Sequence, residues 1–256
     1  VDVDDSALTF VAGDVNKVVE TGNRSLTWLP HKSWPDHFIV GGNIRIGVKA
    51  WAKDAPPDYM VVSLVTSKDV RFFASAAAVP GGVQDDKYKT DYMVFRKIPA
   101  AGATFRLGLP WWGNTNYGEG YNHPHRVTLT NDFWLGVFPV TQGQAFLVNK
   151  LYSSSAFTTV PSYSGKDAEL CPLDNLSGNA AGFGYPSRTG IGDYSLMSAG
   201  LLATFRQQLG VNTVITPTIA EWEFACQAGS EEPVYGGYTM DEVAWYAGNS
   251  EGHVHP

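Results

Sequence analysis

The sequence predicts an α+β fold, with short strands filling roughly the first hundred residues and helices arriving only later. Three observations carry that expectation. β-Branched and aromatic runs, broken by Pro and Gly, recur up to Ala100. Two later stretches, Tyr194–Gly210 and Ile215–Gly229, instead repeat apolar residues at helical spacing. Hydrophobic residues make up 44% and charged residues 17% of the 256, enough to bury a core and too apolar for a disordered chain.

The first region, residues 1–97, reads as a β-rich accessory domain resembling a small sandwich. In Asn43–Ala52, Ile44, Ile46, Val48 and Ala50 alternate with Arg45, Gly47, Lys49 and Trp51, the period of a strand with one buried face. Asp58–Ser67 and Asp69–Ala78 are further strand-like runs, bounded by Pro56-Pro57 and by Pro80-Gly81-Gly82, and Asp91–Ala100 closes the region as another. From residue 98 to 256 the texture changes. Val127–Leu129 and Phe133–Val137 read as strands. Thr141 caps a helix in which Phe146, Leu147 and Leu151 keep helical spacing. Residues 152–193 are polar, Gly-rich and without period, a long loop of the kind that holds a function or an ion. In the next helix Leu196, Ala199, Leu202, Ala203 and Phe205 follow the 3.6 period up to Gly210. The last predicted helix opens with Thr218 and Glu221 in a T-x-x-E capping box and ends at Gly229; Trp222, Ala225 and Cys226 share one of its faces.

The formal charge of −7 and the pI near 5.3 argue against a nucleic-acid groove, which needs clustered Lys and Arg. No apolar stretch is long enough to span a bilayer. A start at Val1, without an initiator Met, suggests a processed chain, and so a secreted or surface location. The two cysteines, Cys171 and Cys226, match no metal spacing. They read as separate thiols, with Cys226 packed inside its helix, although a disulfide between them is open on sequence grounds.

Several constellations could carry chemistry. Trp111, Trp112 and Asn114, with Tyr117 and Tyr121, form an aromatic, Asn/Gly-rich loop whose ring faces and amides suit a sugar or a flat peptide surface; the alternative is a loop folded onto its own domain. Asp167, Glu169, Asp174, Asn175 and Asp193 offer oxygen ligands suited to calcium. His123/His125 and His253/His255 are H-x-H pairs that a strand would point to one side, with no third ligand at a recognisable spacing. Glu221 and Glu223 read as a capping residue and a structural acceptor rather than an acid–base pair. Asn23-Arg24-Ser25 and Asn175-Leu176-Ser177 fit glycosylation sequons.

The block "ITPTIAEWEFACQAG" (Ile215–Gly229) resembles the "LPTEAEWEYACRAG" signature of the formylglycine-generating, or sulfatase-modifying-factor, family. Three further blocks stand in the family's order: "IPAAGATFRLG" from Ile98, "HPHRVTLTNDFWLGVFPVTQGQ" from His123, and "VAWYAGNSEGHVHP" from Val243. Thr216 and Ile219 depart from the Leu and Glu of the signature. The resemblance covers residues 98–256 and implies a C-type-lectin-like fold, incomplete at its C-terminal side, with Trp222 filling the space between helix and sheet. In the family the chain continues into "GLYDMxGNVWEWC" and "RGGSW" blocks and, in true enzymes, two copper-binding cysteines. None of these is present in this sequence, and neither cysteine matches a catalytic position. The resemblance therefore implies a non-catalytic binding or assembly protein, accompanied by a complementary C-terminal chain or another subunit. The alternative it leaves open is a copper-dependent oxidase that converts a sulfatase cysteine to formylglycine, with its catalytic cysteines on a missing or separate chain.

Overall fold

A computed structural model describes residues 11–33, 35–38, 41, 46–108, 124–151, 161, 163–175, 201–211, 213–230, 232 and 235–256. The strands are β1 (Val11–Gly13), β2 (Leu26–Trp28), β3 (Tyr59–Ser63), β4 (Val70–Phe73), β5 (Tyr92–Ile98), β6 (Thr104–Leu107), β7 (His125–Thr128) and β8 (Phe133–Gly136). The α-helices are α1 (Pro30–Ser33, one turn), α2 (Gln142–Leu151), α3 (Leu201–Leu209), α4 (Ile219–Gln227) and α5 (Met240–Val243, one turn). Single 3₁₀ turns lie at Asp86–Lys89, Ala168–Leu170 and Tyr235–Gly237.

An antiparallel sheet in the order β4-β3-β5-β8 organises the described residues, beside two separate pairs, β1-β2 and β6-β7. The alternation in β3 explains why both of its faces are covered. Met60 and Val62 point one way, with Met93 and Phe95 of β5. They meet Ala145 and Val148 of α2 and Leu201, Phe205 and Leu209 of α3. Tyr59 and Val61 point the other way and pack with Val94, Phe73, Val79 and Tyr88 under the loop between β4 and β5. The sheet is thus the middle layer between helices and an ordered loop, the layered arrangement by which an α+β unit buries its apolar stripes.

Polar side chains fix how the helices sit. Gln144, fully buried on α2, donates from Nε2 to the carbonyls of Tyr88 and Tyr92, both at 2.8 Å, and accepts from the Thr141 amide at 3.1 Å. Thr141 Oγ1 accepts from the Gln144 amide and donates to the Lys89 carbonyl. One T-x-x-Q cap therefore starts α2 and ties it to the turn that feeds β5. Gly143 stands where a Cβ would come within 2.8 Å of the Glu169 carbonyl, so α2 lies against the Ala168–Leu170 turn only because this residue has no side chain. At the far end of α3, Gln208 Nε2 donates to the Leu64 carbonyl at 2.6 Å, and the Gln208 carbonyl accepts from the Lys68 amide. Gly210, at φ 68°, then ends the helix.

Two expectations change. Of the stretch expected as a strand at Asn43–Ala52, residues 46–52 are exposed and lie outside every strand, while 43–45 fall outside the described residues. The sheet, in the order β4-β3-β5-β8, does not include it. Second, the boundary expected between residues 97 and 98 falls inside β5. Phe95–Ile98 pair with Phe133–Gly136 of β8, and the helix-side core joins Val62 and Met93 to Val148 and Phe205. Sheet and core cross that boundary, and no sandwich separate from the later region forms among the described residues.

Candidate functional site

Helix α4 is built as its sequence dictates. Thr218 Oγ1 accepts from the Glu221 amide at 3.2 Å, and Glu221 Oε2 accepts from the Thr218 amide at 2.8 Å, so two N-terminal amides without intrahelical partners are satisfied reciprocally. The chain leaves the helix through Ala228 and Gly229, both left-handed. Its inner face is the stripe Ala220, Glu223, Phe224 and Gln227, spaced i, i+3, i+4, i+7. Phe224 meets Phe105 of β6 edge to face at 5.2 Å. Glu223 Oε1 accepts from the Gly108 amide at 2.7 Å and from Gln227 Nε2 at 3.1 Å, and Gln227 also donates to the Arg106 carbonyl. Both glutamates are engaged in holding α4 in place, and neither faces the other as an acid–base pair.

That rotation overturns two expectations. Trp222 is 57% exposed rather than filling the space between helix and sheet, and Cys226 is exposed rather than packed inside. Once Glu223 and Phe224 occupy β6, the residues a third of a turn away must point outward. Ile219, Trp222 and Cys226 form that outer stripe.

The other thiol behaves differently. Cys171 is fully buried between the Ala168–Leu170 turn and the C-terminal segment, with Sγ 3.7 Å from the Asp167 carbonyl and 3.8 Å from that of Val254. Burial pushes this thiol up, and the carboxylates of Asp167, Glu169 and Asp174 add to the shift. Both cysteines are free. One buried and one exposed thiol do not make the thiolate pair that copper(I) requires, so the described residues do not fit copper.

The His253/His255 pair does share one side, but as a stack. Trp245, His255, His253 and Tyr163 form a ladder with successive centroids 4.0, 4.4 and 4.8 Å apart. His255 Nε2 donates to the Ser250 carbonyl and His253 Nδ1 to that of Val254. The ladder closes the C-terminal segment onto Tyr163. Residues 253–255 lie in no strand, so the shared side comes from the stack itself, and nothing in the spacing placed Trp245 and Tyr163 against the imidazoles.

Of the calcium candidates, Asp167, Glu169 and Asn175 are exposed, Asp174 is half-buried, and Asp193 lies outside the described residues. Among the described residues no three His, Cys, Asp or Glu side chains gather where they could hold a metal ion. The aromatic loop, Trp111, Trp112, Asn114, Tyr117 and Tyr121, and also His123, lie outside the described residues; His125 is exposed on β7. No helix among the described residues is long and apolar enough to cross a membrane.

What fold and site define together is an α+β protein whose capped helix is locked to a strand on one side and bare on the other. Set against protein-family models, curated proteins and solved structures, the chain matches none of them.

Proposed function

We propose that the chain is a non-catalytic binding or assembly protein of the sulfatase-modifying-factor-like kind, acting at the cell surface or in secreted form, with α4 presenting its outer face to a partner. The observation that carries this reading is the division of labour on α4. Its two carboxylates and Phe224 are spent on structure, while Ile219, Trp222 and Cys226 stand exposed. A large apolar face left to solvent costs free energy unless something covers it, and in soluble proteins such faces mark interaction sites. A complementary C-terminal chain, a further subunit or a protein ligand fits the apolar character of that face. A carbohydrate would be taken instead by the aromatic loop that holds Trp111 and Trp112.

Absence of oxidase chemistry from this chain alone is the companion expectation, since it would need two reactive thiols and burial pushes the Cys171 thiol up, whereas the alternative draws its catalytic cysteines from a separate chain. The test is to incubate the protein with a C-x-P-x-R peptide, Cu(I) and O₂ and follow the peptide by mass spectrometry. An unchanged cysteine is expected; conversion to the aldehyde would overturn the reading.

A further inference from the structure

The β6-β7 ribbon carries an arrangement that its own fold does not need. Antiparallel register sets Arg106 directly opposite Arg126, and Thr104 opposite Thr128. Opposed residues share one face, and residues two apart along a strand return to it, so these four side chains belong to one surface. The threonines show it directly, since their Oγ1 atoms share a hydrogen bond at 2.8 Å. Phe105, the residue between Thr104 and Arg106, turns to the other face and packs on Phe224 of α4. All four outward residues are exposed, whereas Phe105, Leu107 and Val127 on the other face are half-buried.

Two guanidiniums opposed across a ribbon repel each other and cost stability unless an anion stands between them. No described residue supplies that anion, for neither arginine joins an ion pair. Glu223 belongs to α4, on the other face, and accepts from the Gly108 amide; Asp132 pairs with Lys97. The chain has 18 Lys and Arg against 25 Asp and Glu, so a doubled cation free of carboxylates runs against its general charge.

We propose that this face binds a phosphate group, free or as a monoester. Each guanidinium offers a planar fork of N–H donors that matches two phosphate oxygens. A dianion with at least three free oxygens can engage both forks and cancel both charges, which a single carboxylate cannot. Of the two threonine hydroxyls one donates to the other, and the acceptor keeps its own proton to give to a phosphate oxygen. The inference goes beyond the binding reading above, because it adds a polar site on the face of the ribbon turned away from α4.

The test titrates the full chain, in phosphate-free buffer at low salt, with inorganic phosphate and separately with O-phosphoserine, followed by amide NMR. Saturable shifts should concentrate on residues 104–107 and 125–128, with a Kd of about millimolar order, as an exposed site gives. The tighter of the two probes tells whether the free anion or the monoester is preferred. R106Q and R126Q should each weaken binding by about fivefold or more. R96Q removes an exposed arginine that has Tyr59 and Leu135 opposite it rather than a second cation, and should leave the affinity unchanged. Without phosphate, R106Q and R126Q should be at least as thermally stable as wild type, because the repulsion is relieved. No saturable shift on the ribbon with either probe up to roughly 20 mM would overturn the proposal. So would undiminished binding by R106Q or R126Q, or an equal loss in R96Q. Lower stability of R106Q and R126Q without phosphate would also overturn it, by showing that the fold itself needs the two arginines. None of these results touches the aldehyde assay or the outer face of α4, so the two readings fail separately.

Discussion

Asp132 accepts from the Ala101 amide at 3.0 Å and faces Lys97 at 3.1 Å, joining the end of β5 to the turn before β8. The backbone amide first, and the lysine second, hold its carboxyl below the usual carboxylate range. A carboxyl lowered in the folded state stabilises the fold above its unfolded value and loses that contribution as pH falls through the folded one. Asp132→Asn is therefore expected to be less stable than wild type at neutral pH, with the gap closing below about pH 4. Urea midpoints measured across a pH series decide it; a gap independent of pH would show that the carboxylate charge is not what matters. Nothing in the sequence singled out Asp132, because its partners lie 31 and 35 positions away and become neighbours only through the pairing of β5 with β8.

The start of α4 was legible and its orientation was not. T-x-x-E names the cap, since the two residues that satisfy each other are three apart in any chain that turns there. Thr218→Ala removes one half of the exchange and is expected to cost about 1 kcal/mol. Chemical unfolding followed by tryptophan fluorescence would measure the loss; no change would mean that the cap is not what starts the helix. Which face turns inward is set by the strand it meets. Helical spacing alone makes Trp222 and Cys226 look like the buried pair, since they are the bulkier apolar choice. The Gly108 amide selects Glu223 instead, and Phe105 selects Phe224. The same reasoning applies to Asn43–Ala52, where period-two patterning predicts a strand but cannot supply a neighbour to pair with.

Local pattern placed most of the strands and helices, but the way they share one core was hidden, because that depends on pairings far apart in sequence. β3 and β5, read as parts of a separate accessory domain, pack on α2 and α3 from the later region through Val62, Met93, Val148 and Phe205. A shared core implies that these regions unfold together. Phe205, only 1% exposed, sits on α3 against the sheet, and Phe205→Ala is expected to cost about 3–5 kcal/mol. The loss should appear equally in far-ultraviolet dichroism and in tryptophan fluorescence. Two transitions, with only the later one shifted, would mean that residues 1–97 hold together independently after all.

Because Cys171 is sealed under the Val254 carbonyl while Cys226 stands on the bare side of α4, the native molecule offers a maleimide dye one place to attach. That place is one helical turn from the Trp222 ring, so the label would sit inside whatever footprint is laid over that side chain. The molecule thus brings its own reporter for occupancy of the surface in question, and needs no cysteine engineered into it.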